Sequence, residues 1–275
     1  MAASRYLSKF TSSDGSESYT FGLQRYQWQP QQQLRSPVSL VAGAAYSFRH
    51  LGTAPALKNA ATERVRFVLT DTSANIDTEI DTLKEVGLVG LGKLWTEGAD
   101  ASLRWAWAEL AEMPEVTIEA GRLGFQPVIL GFNRFSDWFA ETQTTGSETL
   151  TASGQTFTIT NSGNAPVEAV VFRLRSSAVN GFTNPQLVND TNDYEFSSTS
   201  DGATADHELR VDTETGEVEL SDDDGATYAN DLAQFSRGAA QIVYMRLEPG
   251  ANSMRYVDGG TVDADLEYAF SPAFH

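Results

Sequence analysis

Hydrophobic residues recur at every second position through much of this chain. The clearest run is the last one, where Val262, Ala264, Leu266, Tyr268 and Phe270 alternate with Asp263, Asp265, Glu267 and Ala269. Successive side chains of a strand point to opposite faces, so this pattern predicts a half-buried antiparallel strand. Upstream, Leu209 and Val211 alternate with Arg210 and Asp212. The loop Thr213-Glu214-Thr215-Gly216 follows, and Val218 and Leu220 then alternate with Glu217 and Glu219. That is a hairpin with one apolar and one charged face. A further strand is predicted through Val243, Met245 and Leu247, stopped by Pro249-Gly250 because proline cannot donate to a ladder and glycine permits reversal. The chain resumes with Met254 and Tyr256.

The first half shows the same period. Val65, Phe67 and Leu69 alternate with Arg64, Arg66 and Val68 in a strand over 63–71. Lys93-Leu94-Trp95 begins another. Leu103, Trp105 and Trp107 alternate with Arg104, Ala106 and Ala108, which outweighs a helix-favouring composition over 101–116. Val116 and Ile118 mark a strand, and Val128, Leu130 and Phe132 another, followed by Phe135, Trp138 and Phe139. The segment 18–29 reads as one or two strands, 29–36 as a loop, and 38–52, with Gly43 inside, as strand-bulge-strand.

The period changes once. Ile76, Ile80, Leu83 and Val86 fall at helical spacing, while Asp77, Glu79, Asp81 and Lys84 fall on the other face. This predicts an amphipathic helix of about three turns over 73–86, with Gly87 at its end and acids toward its N-terminal half. The stretch 141–154 has no large apolar residue except Leu150 and is the expected domain boundary, giving domains 1–145 and 146–275. Residues 183–208 read as a long acidic loop.

Composition narrows the function classes. With 41% hydrophobic and 20% charged residues, the 275-residue chain is a globular protein able to bury a sizeable core. No apolar run is long enough to span a membrane, and the N-terminus lacks the apolar core of a secretory signal. There is no cysteine, hence no disulfide or thiolate metal site.

Charge is uneven. Residues 1–145 hold 16 acids and 13 bases, whereas 146–275 hold 21 acids and 6 bases. Residues 187–231 alone contain fourteen acids and one base, Arg210. Such a surface disfavours nucleic-acid binding through phosphate neutralisation. Four lysines against fifteen arginines fit either a salt-adapted host or a GC-rich genome.

The candidate chemistry is thin. VGLVGLGKLW (86–95) is glycine-rich, but Lys93 precedes Leu94 and the glycines follow a helix, so it is not a phosphate loop. Asp222, Asp224 and Gly225 echo a calcium loop without its further oxygen ligands or closing glutamate, and an Asp-Gly hairpin tip accounts for them. His50, His207 and His275 stand outside any catalytic or metal motif. Trp28, Trp95, Trp105, Trp107 and Trp138 all lie in the first half, where core and subunit-interface packing is favoured over sugar platforms. No catalytic, cofactor-binding or metal-binding residue is assigned, no cofactor is implied, and no enzyme is expected.

The ordered features of the second half resemble those of siphophage distal tail proteins: the opening strand TFTITNSGNAPVEAVVFRL (156–174), LRVDTETGEVELSDDDGATY (209–228), Phe235, and LEPGAN (247–252). The segment RWAWAELAEMP (104–114) and the strands–helix–strands order extend the resemblance over most of the chain. It implies a mainly β protein: a tail-tube-like N-terminal β-sandwich with one packed α-helix, then a galectin-like C-terminal antiparallel β-sandwich. It also implies a structural virion protein at a phage tail tip. Such a protein forms a ring, usually a homohexamer, that joins the tail tube to the baseplate hub around a channel for DNA. The implied partners are the ring itself, the tail tube protein and the tail-associated hub protein, with tape measure, receptor-binding or side-fibre proteins beyond. Its loop 183–208 is longer and more acidic than is typical of the family. Two alternatives stay open: a tail-tube or other minor tail protein with an added outer domain, and a carbohydrate-binding module for host attachment.

Overall fold

The structure, a computed structural model, describes residues 6–13, 15–21, 61–70, 73–88, 90–98, 100–112, 125–177, 181–202, 205–238 and 245–275. The readings at 38–52, 29–36, Val116–Ile118 and Val243 fall outside these residues. The chain is mainly β, with several antiparallel sheets and, among the described residues, one α-helix. No helix there is long and apolar enough to cross a membrane. The described residues divide into two compact units, one ending at Glu141 and one beginning at Thr142.

The first unit contains β1 (Tyr6–Ser12), β2 (Ser18–Thr20), β3 (Ala61–Thr70), α1 (Ser73–Leu88), β4 (Leu91–Glu97), β5 (Leu103–Glu112), β6 (Phe125–Arg134) and β7 (Trp138–Ala140). Six strands form an antiparallel sheet in the order β2-β1-β4-β5-β6-β3, and β7 pairs with β5. Cross-strand register places Phe10 opposite both Tyr19 and Leu94, and Leu94 opposite Ala106. These side chains are buried together with Phe21, Val128, Leu130 and Phe132. Phe132 contacts Phe10 and Phe21 at centroid distances of 5.2 and 5.8 Å. Each such aromatic burial contributes about 1.5–3 kcal/mol.

The helix covers this apolar face, and Tyr19 on it donates to Glu79 on α1 at 3.0 Å. Ile76, Ile80 and Leu83 are buried, whereas Glu79, Asp81, Lys84 and Glu85 are exposed, as the 3.6-residue period requires. The helix differs from expectation at both ends. No acid lies in its first turn, so Asp77, Glu79 and Asp81 sit beyond the reach of its dipole. At the other end it runs through Gly87 to Leu88, and the reversal falls at Gly90, whose φ of +80° only glycine adopts freely.

The second unit holds β8 (Thr144–Leu150), β9 (Thr156–Asn161), β10 (Val170–Ser176), β11 (Phe182–Thr183), β12 (Gln186–Asn189), β13 (Tyr194–Ser198), β14 (Asp201–Gly202), β15 (Glu208–Asp212), β16 (Glu217–Ser221), β17 (Ala229–Asn230), β18 (Phe235–Arg237), β19 (Gly250–Val257) and β20 (Ala264–Phe270). One sheet runs β17-β16-β15-β10-β20-β8 and the other β18-β13-β12-β19-β9. Their inner faces meet: Phe172, Leu209 and Leu266 from the first surround the same small apolar gap as Leu187, Phe196 and Tyr256 from the second. Phe172 and Phe196 touch across it at 5.6 Å. This is an antiparallel β-sandwich.

The hairpin over 209–220 forms with Val211 opposite Val218 and Arg210 opposite Glu219. Three readings need correction. The stretch 141–154 is not boundary throughout: the division between the units falls at its start, between Glu141 and Thr142, and β8 within it pairs with β20 over its whole length, from Thr144 opposite Phe270 to Leu150 opposite Ala264. An edge strand needs few apolar side chains when its ladder supplies the hydrogen bonds. Residues 183–208 are not a continuous loop either; they contain the β12–β13 hairpin, which buries Leu187, Val188 and Phe196. Finally, Met245 and Leu247 are buried, yet Leu247 makes only an isolated bridge with Val167, and among the described residues no strand forms over 245–249.

Candidate interaction surfaces

The acidic hairpin tip at 221–228 is held by its own side chains. Asp223 accepts from the Thr227 amide at 2.8 Å, the Thr227 hydroxyl at 2.6 Å and the Ser221 hydroxyl at 2.7 Å. These bonds, those from Thr227 foremost, lower its carboxyl to a pKa of about 2. Asp222 is exposed, and Asp224 sits at φ +57° with its amide donated to the Asp206 carbonyl at 2.7 Å. The aspartates that echo a calcium loop therefore form a self-capped turn. Among the described residues no group of three or more His, Asp or Glu side chains is placed to hold a metal ion.

Beneath this tip lies Glu208, which alternation places on the charged face of the sheet yet which is fully buried. Arg175 Nε stands 2.6 Å from its Oε2, Arg173 Nε 3.8 Å from its Oε1, and the Tyr228 hydroxyl donates to Oε1 at 2.5 Å. Register explains the cluster, since Arg175 is the cross-strand neighbour of Glu208 and Arg173 that of Arg210. The Tyr228 hydroxyl is pushed above the ordinary phenol value, by burial first and by Glu208 second. A buried carboxylate persists when its lone pairs are taken by charged donors.

LEPGAN is organised by asparagines. Asn252 is fully buried; its Oδ1 accepts from the Glu248 amide at 2.8 Å and its Nδ2 donates to the Glu248 carbonyl at 2.8 Å. Gly250 takes φ +90° between them. Asn189 Nδ2 donates to Asn252 Oδ1 at 3.1 Å and to the Arg246 carbonyl at 2.8 Å. The buried amides thus satisfy the backbone of the turn where it leads into β19, whose residues Gly250, Ala251 and Asn252 pair with Asn161, Thr160 and Ile159 of β9, and its role is architectural.

The first unit presents a different surface. On the sheet face away from α1, Lys9 pairs with Trp95, Trp95 with Trp105, and Trp105 with Phe139. The neighbouring row reads Thr11, Lys93, Trp107. Lys9 Nζ lies 4.3 Å from the Trp95 ring centre, and Lys93 Nζ lies 4.6 Å from Trp105 and 5.5 Å from Trp107. Trp105 meets Trp107 edge-on at 5.3 Å and Phe139 at 5.0 Å, while Trp95 Nε1 donates to Thr11 Oγ1 at 3.1 Å. All these aromatics and both lysines are half-buried. Trp138, in contrast, is buried, with the Arg134 guanidinium 5.3 Å from its ring.

Trp105 and Trp107 share one strand face, as alternation required; Trp28 and His50 lie outside the described residues. The half-buried His207 gives its carbonyl to the Ser176 amide, and the exposed His275 donates its amide to Asn164. Lys9 and the buried Glu208 were not singled out from sequence, and Lys93 was weighed there only as a phosphate-loop lysine and as the start of a strand. Lys93 and Trp95, two apart in a strand, were the available signal for the tryptophan face.

No family model matches the sequence, and no curated protein matches it. Solved structures do. The chain superposes on the SPP1 Dit protein, described as a paradigm of the hub adsorption apparatus in Gram-positive infecting phages. The TM-score is 0.53 at 12% identity, over 78% of this chain and 79% of that one. It also matches chains of the phage p2 baseplate in its activated conformation with Ca and with Sr. Those matches have TM-scores of 0.49 and 0.47, at 9% and 11% identity, each covering 98% of this chain and 99% of that one. At 12% identity the property shared with the hub protein is the fold.

Proposed function

We propose that this chain is a structural protein of a phage tail tip, a distal tail protein that forms a ring between tail tube and baseplate hub. The observation that carries the reading is the fold shared with a phage hub protein over most of both chains. The ordered sequence features of the second half and the two-unit architecture support it. The first unit builds the ring, six copies around a channel for DNA, and domains 1–145 and 146–275 divide the labour between ring and outer module. The outer unit, with 21 acids and 6 bases, faces receptor-binding or side proteins. A structural role needs no catalytic residue, and the polar clusters described above each serve the fold.

Negative-stain electron microscopy of the purified full chain tests this. Closed rings with an open centre are expected. Long tubes would instead favour a tail-tube protein. A particle that stays monomeric at every concentration and binds a glycan would favour the host-attachment module.

A further inference from the structure

We infer that the lysine–tryptophan face of the first unit is one half of the contact that closes the ring, and that the acidic outer face of α1 on the next copy is the other half. The inference rests on the ring reading above and names the surfaces and chemistry that reading requires.

Lys9 and Lys93 have no carboxylate partner among the described residues, in a chain with 37 acids. In the same unit Lys84, Arg104 and Arg134 are each ion-paired, to Asp81, Asp100 and Glu63. Two cations set on indole rings and left without carboxylates are poised for carboxylates from outside. The rings hold each ammonium at a fixed height, and covering the half-buried tryptophans would dry the site and strengthen both the cation–π contact and any ion pair.

The complementary surface is on the same unit. Tyr19 lies across from Phe10 and bonds α1, so the helix sits on the Phe10 face, and Lys9 and Trp95 point to the other. The exposed residues of α1 include Asp81 and Glu85, with Glu79 beside them bonded to Tyr19, against one base, Lys84, which pairs with Asp81, so this surface keeps a net negative charge. One unit therefore carries a basic aromatic patch on one side and an acidic patch on the opposite side. Pairing two copies through the same patch would bring lysine against lysine. Pairing through unlike patches is heterologous, repeats head to tail and closes into a ring when the rotation permits. A second copy is thus the occupant selected by charge.

The test compares assembly of full-length variants by light-scattering mass and electron microscopy, with far-UV circular dichroism as the folding control. Lys9→Glu with Lys93→Glu, and separately Asp81→Lys with Glu85→Lys, should each raise the concentration for half-assembly at least tenfold. Combining all four changes should restore rings. The milder Lys9→Gln with Lys93→Gln should weaken assembly without introducing a charge clash. If the unaltered chain forms closed rings and the lysine reversals assemble as well as it does, the inference is overturned and the ring reading stands. If the unaltered chain forms no closed ring, the ring reading falls and the inference with it.

Discussion

The two units solve the same problem, a sheet with one apolar face, by different means, and they spend their aromatic residues differently. In the first, a single helix covers the face bearing Phe10, Leu94 and Phe132, and the opposite face is left lined with Trp95, Trp105, Trp107 and two lysines. In the second, two sheets cover one another, and the outer face of the larger carries crossed charges such as Arg173, Arg175, Arg210 and Glu219. A sandwich that satisfies its inner faces and charges its outer one needs no partner to bury its apolar surface. A sheet that leaves half-buried tryptophans on its second face has apolar surface still to cover, and aromatic residues are enriched at protein interfaces. In the proposed ring this contrast assigns the assembly surface to the first unit.

All five tryptophans belong to residues before 142, so indole fluorescence reports the first unit alone. The largest expected effect exploits this. Phe172→Ala removes a fully buried ring from between the two sheets and should cost about 3–5 kcal/mol, read as a lower denaturant midpoint by circular dichroism. The tryptophan-detected midpoint should move much less, and Phe132→Ala should do the converse. Equal shifts of both signals in both variants would erase the distinction between units.

A smaller effect probes the charged face. Glu208→Gln removes the carboxylate that Arg175 and Tyr228 share and should destabilise the second unit by about 1.5–3 kcal/mol, since the guanidinium can turn to water but the tip loses its anchor. Proteolysis within 221–228 should accelerate in parallel. An unchanged midpoint and cleavage rate would show that the tip holds itself.

The smallest concerns pH. Asp223 has its folded-state pKa lowered to about 2 from 3.8 by bonds from Thr227 and Ser221. Its contribution is therefore fully present above about pH 4 and is lost as pH falls toward about 2, because the unfolded chain takes up the proton first. Asp223→Asn should flatten the acid limb of the stability curve of the second unit in that window. A carboxyl resonance titrating at the ordinary aspartate value would contradict the geometry.

Much of this architecture was legible because the strands around 63–70, 93–97, 103–108, 128–132, 208–220 and 264–270 alternate cleanly. The strand β1 was not read from the sequence, and its register is broken by a bulge between Leu7 and Lys9. The other strands missed were those whose burial does not follow a simple period. Leu187, Val188 and Asn189 are buried consecutively, in a four-residue strand amid acids, and the β8 sequence TTGSETL contains one large apolar residue. Their strand character is set by ladders to β19 and β20, distant in sequence. The tryptophan face was half legible for the same reason. Trp105 and Trp107 share a face by local alternation, but the placing of Lys9 on Trp95 depends on the β1–β4 register, which includes a bulge between Leu7 and Lys9. Glu208 reads as an exposed residue until the tip folds back over it.

The most direct test of the central claim, that the first unit assembles, is light-scattering mass with tryptophan emission recorded on the same samples across a concentration series. The account predicts a rise from the 29.9 kDa monomer to a single closed multiple of it, six in the ring reading, with emission shifting to shorter wavelength as the tryptophan face is dried. Assembly with no change in emission, or a mass of 29.9 kDa at every concentration, would contradict it.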